Sequence, residues 1–415
     1  MKVIKWVLFV IAIVCLLSFA FLYKDINILK QTDYDIILKE LNVTETESVI
    51  EYHTYGTHLN IRGNFDESSS IILKSKDNEL EYNLYKKNDY YQTSEYLNTG
   101  IDLETINTGK YYVFLKTTDK YYKLENKTEY PSIEYYTITR NQSNNKINIY
   151  FDDTMRITVK NEVLPEEYYD IVIDPGHGSD MEGAYNRTYG YKESTVNLDN
   201  SKLLKQKLEQ AGLKVKLTRE NDKNTAYYGV NSRTGIPYEV KAKFMVSMHM
   251  NSSNTSMGNG GIEIYAANGD NYTFPRITAK KVVDNTNSQY SPNPLHKIEN
   301  GVYMRTFSNE DIKDSTKTAN KKGYVPYSLN TSMTYYFFIR EVGGYMTQAF
   351  SDGRAEYPEN PYRNYNQGVE AYLIELGYIN SNNNVKDIIN NKDKYMEAVK
   401  DGILEYLNLN TKIEE

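Results

Sequence analysis

Cysteine is nearly absent from this 415-residue chain: the single copy, Cys15, lies inside an apolar segment. No intrachain disulfide can form, so stability has to come from packed cores, with a bound metal as the available helper. Histidine is scarce as well, five in all, so each one can be weighed on its own. Positive charge is in deficit, 48 Lys and Arg against 55 Asp and Glu, for a net charge of −7 without a basic stripe. That field repels nucleic acid and argues against such a partner. Tryptophan occurs once, whereas tyrosine occurs 41 times. The tyrosine bias suits exposed strands and carbohydrate-facing surfaces, and equally AT-rich coding.

A long apolar run occurs in one place. Trp6 to Tyr23 is about 18 uncharged residues, preceded by Lys2 and Lys5. As a helix it is roughly 27 Å long, enough to cross a ~30 Å hydrocarbon core. Lysines ahead of the run predict a signal anchor over residues 1–24 with its N-terminus in the cytoplasm and the rest exported. A cleaved signal peptide, giving a secreted protein, is the alternative; no small-x-small cleavage site follows the run.

What remains has an ordinary globular composition, 40% hydrophobic and 25% charged, and is long enough for two domains. Residues 25–49 carry weak helical character and read as a stalk. From residue 50 to 163 the period is two: Leu80, Tyr82 and Leu84, then Tyr111, Val113 and Leu115, then Ile147, Ile149 and Phe151. Turn signals separate these runs, which predicts an all-β, immunoglobulin-like sandwich without its disulfide. His53 and His58 fall here without a third ligand and read as strand histidines.

After residue 166 the period changes. Ile171 to Ile173 form an apolar run that ends in Asp174-Pro-Gly-His177. Val196, Leu203, Leu204 and Leu208 recur at helical spacing, and a further helix is expected from about Ser232 to Ala242. Apolar strands lead into His249 and Glu375. Strands alternating with helices predict an α/β domain, an open and mostly parallel sheet flanked by helices, over residues 166–412. Sites in such sheets form where strands end. Two imidazoles and a carboxylate, His177, His249 and Glu193 or Glu375, make the ligand set of a catalytic zinc site. Any α/β domain also carries polar residues at its strand ends, and spacing alone does not choose between the two readings.

Four motifs in order do choose. Asp174-Pro-Gly-His177-Gly178, Lys192-Glu193-Ser-Thr-Val-Asn-Leu-Asp199, Ser247-Met-His249-Met-Asn251 and Glu375-Leu-Gly-Tyr-Ile379 resemble those of the zinc-dependent N-acetylmuramoyl-L-alanine amidases of bacterial cell walls. The resemblance implies Zn²⁺ held by His177, Glu193 and His249, with Glu375 as catalytic acid/base. It implies peptidoglycan as substrate, cut between N-acetylmuramic acid and L-alanine. Asn251, Arg233 and Arg340 are the candidates for substrate contact, and Asp174 for a hydrogen bond that orients His177. A membrane-held hydrolase of its own wall also calls for an activating or restraining protein partner. The alternatives are a catalytically silent peptidoglycan-binding scaffold and a zinc hydrolase of another amide. One departure from the family pattern stands out: about 110 residues separate Tyr265 from Glu375. The excess, about residues 285–365, contains His296, a polar run from Ser308 to Lys322, and the aromatic patch Tyr335 to Phe338. It reads either as a wall that grips substrate or as a structural elaboration.

Overall fold

The computed structural model describes residues 32–43, 45–126, 133–138, 144–151, 155–163, 165–253, 260–323, 325–349 and 367–407. The expected membrane anchor lies outside them. Among the described residues no helix is long and apolar enough to cross a membrane.

The period-two segments do form strands, but their assembly differs from a two-sheet immunoglobulin-like sandwich. Twelve strands from Glu45 to Asn161 join the short Gln367–Gly368 strand in one branched, thirteen-stranded sheet. The branch point is Gly109–Lys116, which pairs with Ser70–Lys74 along one edge. Along its other edge it pairs first with Met155–Asn161 and then with Tyr121–Asn126. Glu45–Tyr55 runs parallel to Tyr121–Asn126, a pairing that no local turn signal encodes. The inward residues, among them Leu59, Ile61, Leu73, Val113, Leu115, Ile147 and Ile157, meet in a single core. Of the residues read in sequence as a stalk, 45–49 belong to this sheet and 33–43 pack onto it. Thr32 and Asp35 form a capping box for the helix Asp33–Glu40, which buries Ile37 against Ile72, Tyr112 and Phe114.

The second sheet has seven strands in the order Val215–Leu217, Ile171–Pro175, Phe244–Asn251, Glu370–Tyr378, Glu263–Tyr265, Val302–Tyr303 and Lys297–Glu299. Its first four strands are mutually parallel, and Glu263–Tyr265 then pairs antiparallel with Glu370–Tyr378. The sheet is therefore mixed. Helices Glu193–Gln210, Thr273–Asn285 and Lys392–Tyr406 cover one face, where Leu204, Leu208, Phe274, Val282, Tyr395 and Val399 join Ile173, Val246 and Ile374. The opposite face packs on Ile236, Val240, Phe338 and Ile339. The helix expected near 232–242 shrinks to Ile236–Glu239, with turns on either side. The polar run after Ser308, by contrast, is a helix, Asn309–Lys322. It begins at a Ser308/Asp311 capping box and stops at Gly323 with φ 75°.

The two regions are joined at the N-terminal ends of the parallel strands of the seven-stranded sheet. Thr54 and Tyr55 pair in parallel with Gln367 and Gly368. Lys243 and Glu104 form a buried ion pair, and the Asn98 amide donates to Asn271 Oδ1 at 3.0 Å and to Glu370 Oε1 at 3.3 Å. The Tyr372 hydroxyl reaches Asp270 Oδ2 at 2.8 Å, and Tyr406 donates to Glu370. Burial, and then the charge of Asp270, push the Glu370 carboxyl up to about 8. The folded state therefore holds this proton more tightly than the unfolded chain, whose Glu titrates near 4.3. The resulting penalty is absent below about pH 4 and complete above about pH 8, so stability falls as pH rises between them. Replacing Glu370 by Gln should remove that slope. Unfolding midpoints measured from pH 5 to pH 8 should show the variant gaining on the wild type as pH increases.

Candidate metal centre

The strand Ile171–Pro175 is buried along its whole length and delivers Gly176 and His177 to the C-terminal edge of the sheet. His177 has φ 64°, a left-handed conformation that costs a non-glycine residue energy and needs outside support. Two buried arginines supply that support. Arg233 donates to the carbonyl of Pro175 at 2.9 Å and to the carbonyl of His177. Arg219 donates to Pro175 O at 2.8 Å and to Gly176 O at 2.9 Å. Gly176 has to be glycine: a Cβ there would lie 2.3 Å from the His249 ring.

Glu193 opens its helix immediately after the hairpin 185–192 and is buried. Its Oε1 lies 3.2 Å from His177 Nε2 and 3.0 Å from His249 Nδ1, while its Oε2 accepts from the Ala184 amide at 2.8 Å. His249 stands near the end of Phe244–Asn251, just before an irregularity in the ladder. The two imidazole rings are 4.9 Å apart and steeply inclined, at 75°. Burial would raise the Glu193 carboxyl, but hydrogen bonding with both histidines and their charge outweigh it and hold the group well below the usual carboxylate range.

These three side chains each offer one ligand atom, all within 4.8 Å of one another. Zinc bonds of 2.0–2.1 Å in a tetrahedron separate ligand atoms by about 3.4 Å. Spacing and donor chemistry therefore both fit zinc.

Glu375 lies beside this triad in the sheet, its Cα in register with His249 on one side and Glu263 on the other. Its Oε2 is buried and has no hydrogen-bond partner among the described residues. Burial, then the negative charges of Glu193 and Glu263, hold this carboxyl well above the usual range. Glu375, both histidines and Glu193 line one cleft of about 410 Å³. Tyr227, Tyr336, Phe337 and Phe338 form its aromatic wall, with Tyr227 edge-on to Phe337 at 4.7 Å. The last three come from the aromatic patch of the insertion.

The remaining sequence candidates sit differently. Asp174 makes no hydrogen bond to His177. It accepts from Thr218 and Arg233 on Oδ1 and from Ser247 on Oδ2 at 2.7 Å, so it anchors the turn from below. Arg233 also lines the cleft but is 2% exposed; its two terminal nitrogens are taken by Asp174, the turn carbonyls and Asn224, and its Nε is buried with no partner among the described residues. Arg340 is buried outside the cleft and donates to the carbonyls of Thr334 and Tyr335, holding the aromatic segment in place. Asn251 does line the cleft, but its amide donates to Glu263 at 3.0 Å and its oxygen accepts from Ser252 N. Glu263 escaped the sequence reading. It is fully buried and also accepts from Tyr265 at 2.7 Å and Ser291 at 2.6 Å. Its signal was a lone charge inside the apolar run Gly261 to Tyr265. His53 is buried against Tyr345, 5.0 Å between rings, in the β-rich region, and His296 lies in the insertion; neither belongs to the triad.

Curated relatives match parts of this chain. The N-acetylmuramoyl-L-alanine amidase LytC of Bacillus subtilis is 30% identical over 149 residues, 36% of this chain and 27% of LytC. The probable cell wall amidase LytH of Staphylococcus saprophyticus is 36% identical over 91 residues, 22% of this chain and 28% of LytH. The chain thus spans little more than a quarter of their length. Among solved structures, the amidase AmiC2 of Nostoc punctiforme aligns with 59% of this chain and 99% of its own, at 20% identity and a TM-score of 0.39. The CwlD amidase of Clostridioides difficile, solved in complex with the GerS lipoprotein, aligns with 58% of this chain at 20% identity and a TM-score of 0.33. A family model described as N-acetylmuramoyl-L-alanine amidase matches residues 171–405, more than half of the chain and the whole of the seven-stranded sheet. The chain belongs to the N-acetylmuramoyl-L-alanine amidase family.

Proposed function

We propose that this protein is a zinc-dependent peptidoglycan hydrolase that cuts the amide between N-acetylmuramic acid and the L-alanine of the stem peptide. The observation that carries this reading is the convergence of His177, Glu193, His249 and Glu375 on one cleft of a chain from this family. The two imidazoles and the Glu193 carboxylate would hold the ion. Zinc supplies Lewis acidity there, acidifying water and polarising an amide carbonyl. Glu375 accepts the proton of the attacking water and delivers it to the leaving nitrogen, so that the amine departs neutral. The aromatic wall of Tyr227, Tyr336 and Phe337 limits water in the cleft and strengthens every charge interaction inside it. Arg233 and Arg219 keep the His177 turn rigid. Asn251, fixed by Glu263, shapes the cleft rim.

Residues 166–412 form the catalytic domain in this reading. The apolar segment Trp6 to Tyr23 anchors the chain in the membrane with its later domains facing the wall. The β-rich region, joined to the catalytic strands through Lys243–Glu104 and Asn98, sets where the cleft stands. Chelation tests the zinc assignment. Treatment with a chelator should abolish hydrolysis of purified walls, and zinc should restore it in the wild type but not in Glu193→Ala. Full activity after verified removal of metal would refute it.

A further inference from the structure

The insertion builds a second cleft, of about 650 Å³, beside the first. The two share Tyr336 and Phe337, so the clefts are continuous across those rings. Tyr228, Tyr327, Tyr335 and Phe337 present half-buried rings to the second cleft. Three of these rings are held in advance: Phe337 packs edge-on against Tyr228 at 5.8 Å, and the Arg305 guanidinium lies 3.3 Å over the Tyr335 ring. A surface ordered before binding loses little entropy on capturing a ligand.

The charges of the cleft narrow the choice of ligand. Arg340 is buried and committed to backbone carbonyls, and Asp311 is tied to Ser308 and Arg305. The exposed charges left on the lining are one carboxylate, Asp314, and one ammonium, Lys322. A peptide bearing free carboxylates needs a surplus of cations, which this lining does not offer. An uncharged N-acetylated sugar does not need one. Its apolar ring faces can lie on tyrosine and phenylalanine, and its hydroxyl and amide groups can bond to tyrosine hydroxyls, Asp314 and Lys322. We infer that the second cleft is a glycan subsite, which takes N-acetylated sugar residues of the strand next to the scissile amide. This rests on the amidase reading, because the two clefts would then receive one continuous substrate.

The test is calorimetric titration of the full chain with a soluble N-acetylglucosamine oligomer and, separately, with free stem peptide. The oligomer should bind, and Tyr327→Ala and Asp314→Ala should each weaken it about tenfold. Tyr327→Phe, which keeps the ring, should retain most of the affinity, and none of the three should move stem-peptide binding. Asp314 is exposed, so its variant keeps the test valid if Tyr327→Ala shifts the unfolding midpoint. An oligomer that fails to bind, or affinities that stay unchanged in both alanine variants, would overturn the subsite; so would a loss confined to the stem peptide. The failure of each reading is distinguishable. Wall cleavage without Tyr327-dependent glycan binding removes the subsite alone, and Tyr327-dependent glycan binding without cleavage removes the amidase reading alone.

Discussion

Glu375→Gln should lower hydrolysis of purified cell walls by about 10²–10⁴-fold, the range that general acid–base catalysis contributes. Glutamine keeps the shape of the side chain but can neither take a proton from water nor pass one to a leaving nitrogen. The substitution should spare the fold, because Glu375 Oε2 is buried without a partner among the described residues and no hydrogen bond there would be lost. Burial, then the charges of Glu193 and Glu263, penalise the ionised form of this carboxyl, a penalty that glutamine does not carry, so the unfolding midpoint should stay level or rise. Zinc content should remain near one equivalent, since the three ligand atoms come from other residues. New amino termini released from walls, together with bound metal, would be measured on the same preparations. A variant that hydrolyses walls at close to the wild-type rate would take the proton-transfer role away from Glu375.

Arg233→Ala should be the most damaging change to stability near the site. The guanidinium is 2% exposed and pairs with Asp174, which is equally buried. Deleting one member of a buried pair leaves the other uncompensated, at a cost of about 3–5 kcal/mol. Asp174 would keep Thr218 and Ser247, which places the loss towards the lower end of that range. The same deletion frees the carbonyl of His177, which holds φ at 64°, and leaves Pro175 O to Arg219 alone, so zinc affinity should fall as well. The double change Asp174→Asn with Arg233→Met should recover part of the stability without recovering zinc affinity, because the brace on His177 is still missing. Denaturant midpoints and metal titrations separate the two effects. A stability loss under about 1 kcal/mol in Arg233→Ala would show that the pair does not hold the turn.

The residues that converge on the cleft were legible because their motifs sit at abrupt changes of local pattern. An apolar run stops at Asp174-Pro-Gly-His177, another leads into His249, and Glu193 opens a long amphipathic helix. Glu375 was legible as a cleft candidate, but its place within its strand was not. Its strand continues to Tyr378, since Leu376 and Tyr378 are as buried as Tyr372 and Ile374, and a charged residue inside that run was read as its end. The supporting contacts were hidden for a different reason. Thr218, Arg233 and Ser247 reach Asp174 from 44, 59 and 73 residues away, and no local periodicity records such meetings. The same holds for the β-rich region: its alternating residues foretold strands, while the parallel pairing of Glu45–Tyr55 and the branch at Gly109–Lys116 are long-range choices. The helix at Asn309–Lys322 was legible in principle. Ser308, Asp311 and Gly323 are its start and stop signals, but the run between them carries too few apolar residues to show a helical period. The destination of Tyr336 to Phe338 was not, because the aromatic run alone does not say which cleft it walls.

The most direct measurement is the identity of the products released when the zinc-loaded full chain digests purified peptidoglycan. Mass spectrometry should find intact stem peptides with a free L-alanine amino terminus, and glycan strands whose lactyl groups end in free carboxylates. Glu375→Gln should release neither. Cleavage within the stem peptide, new reducing ends on the sugars, or no release by a protein shown to carry zinc would contradict a cut at the muramyl–alanine amide.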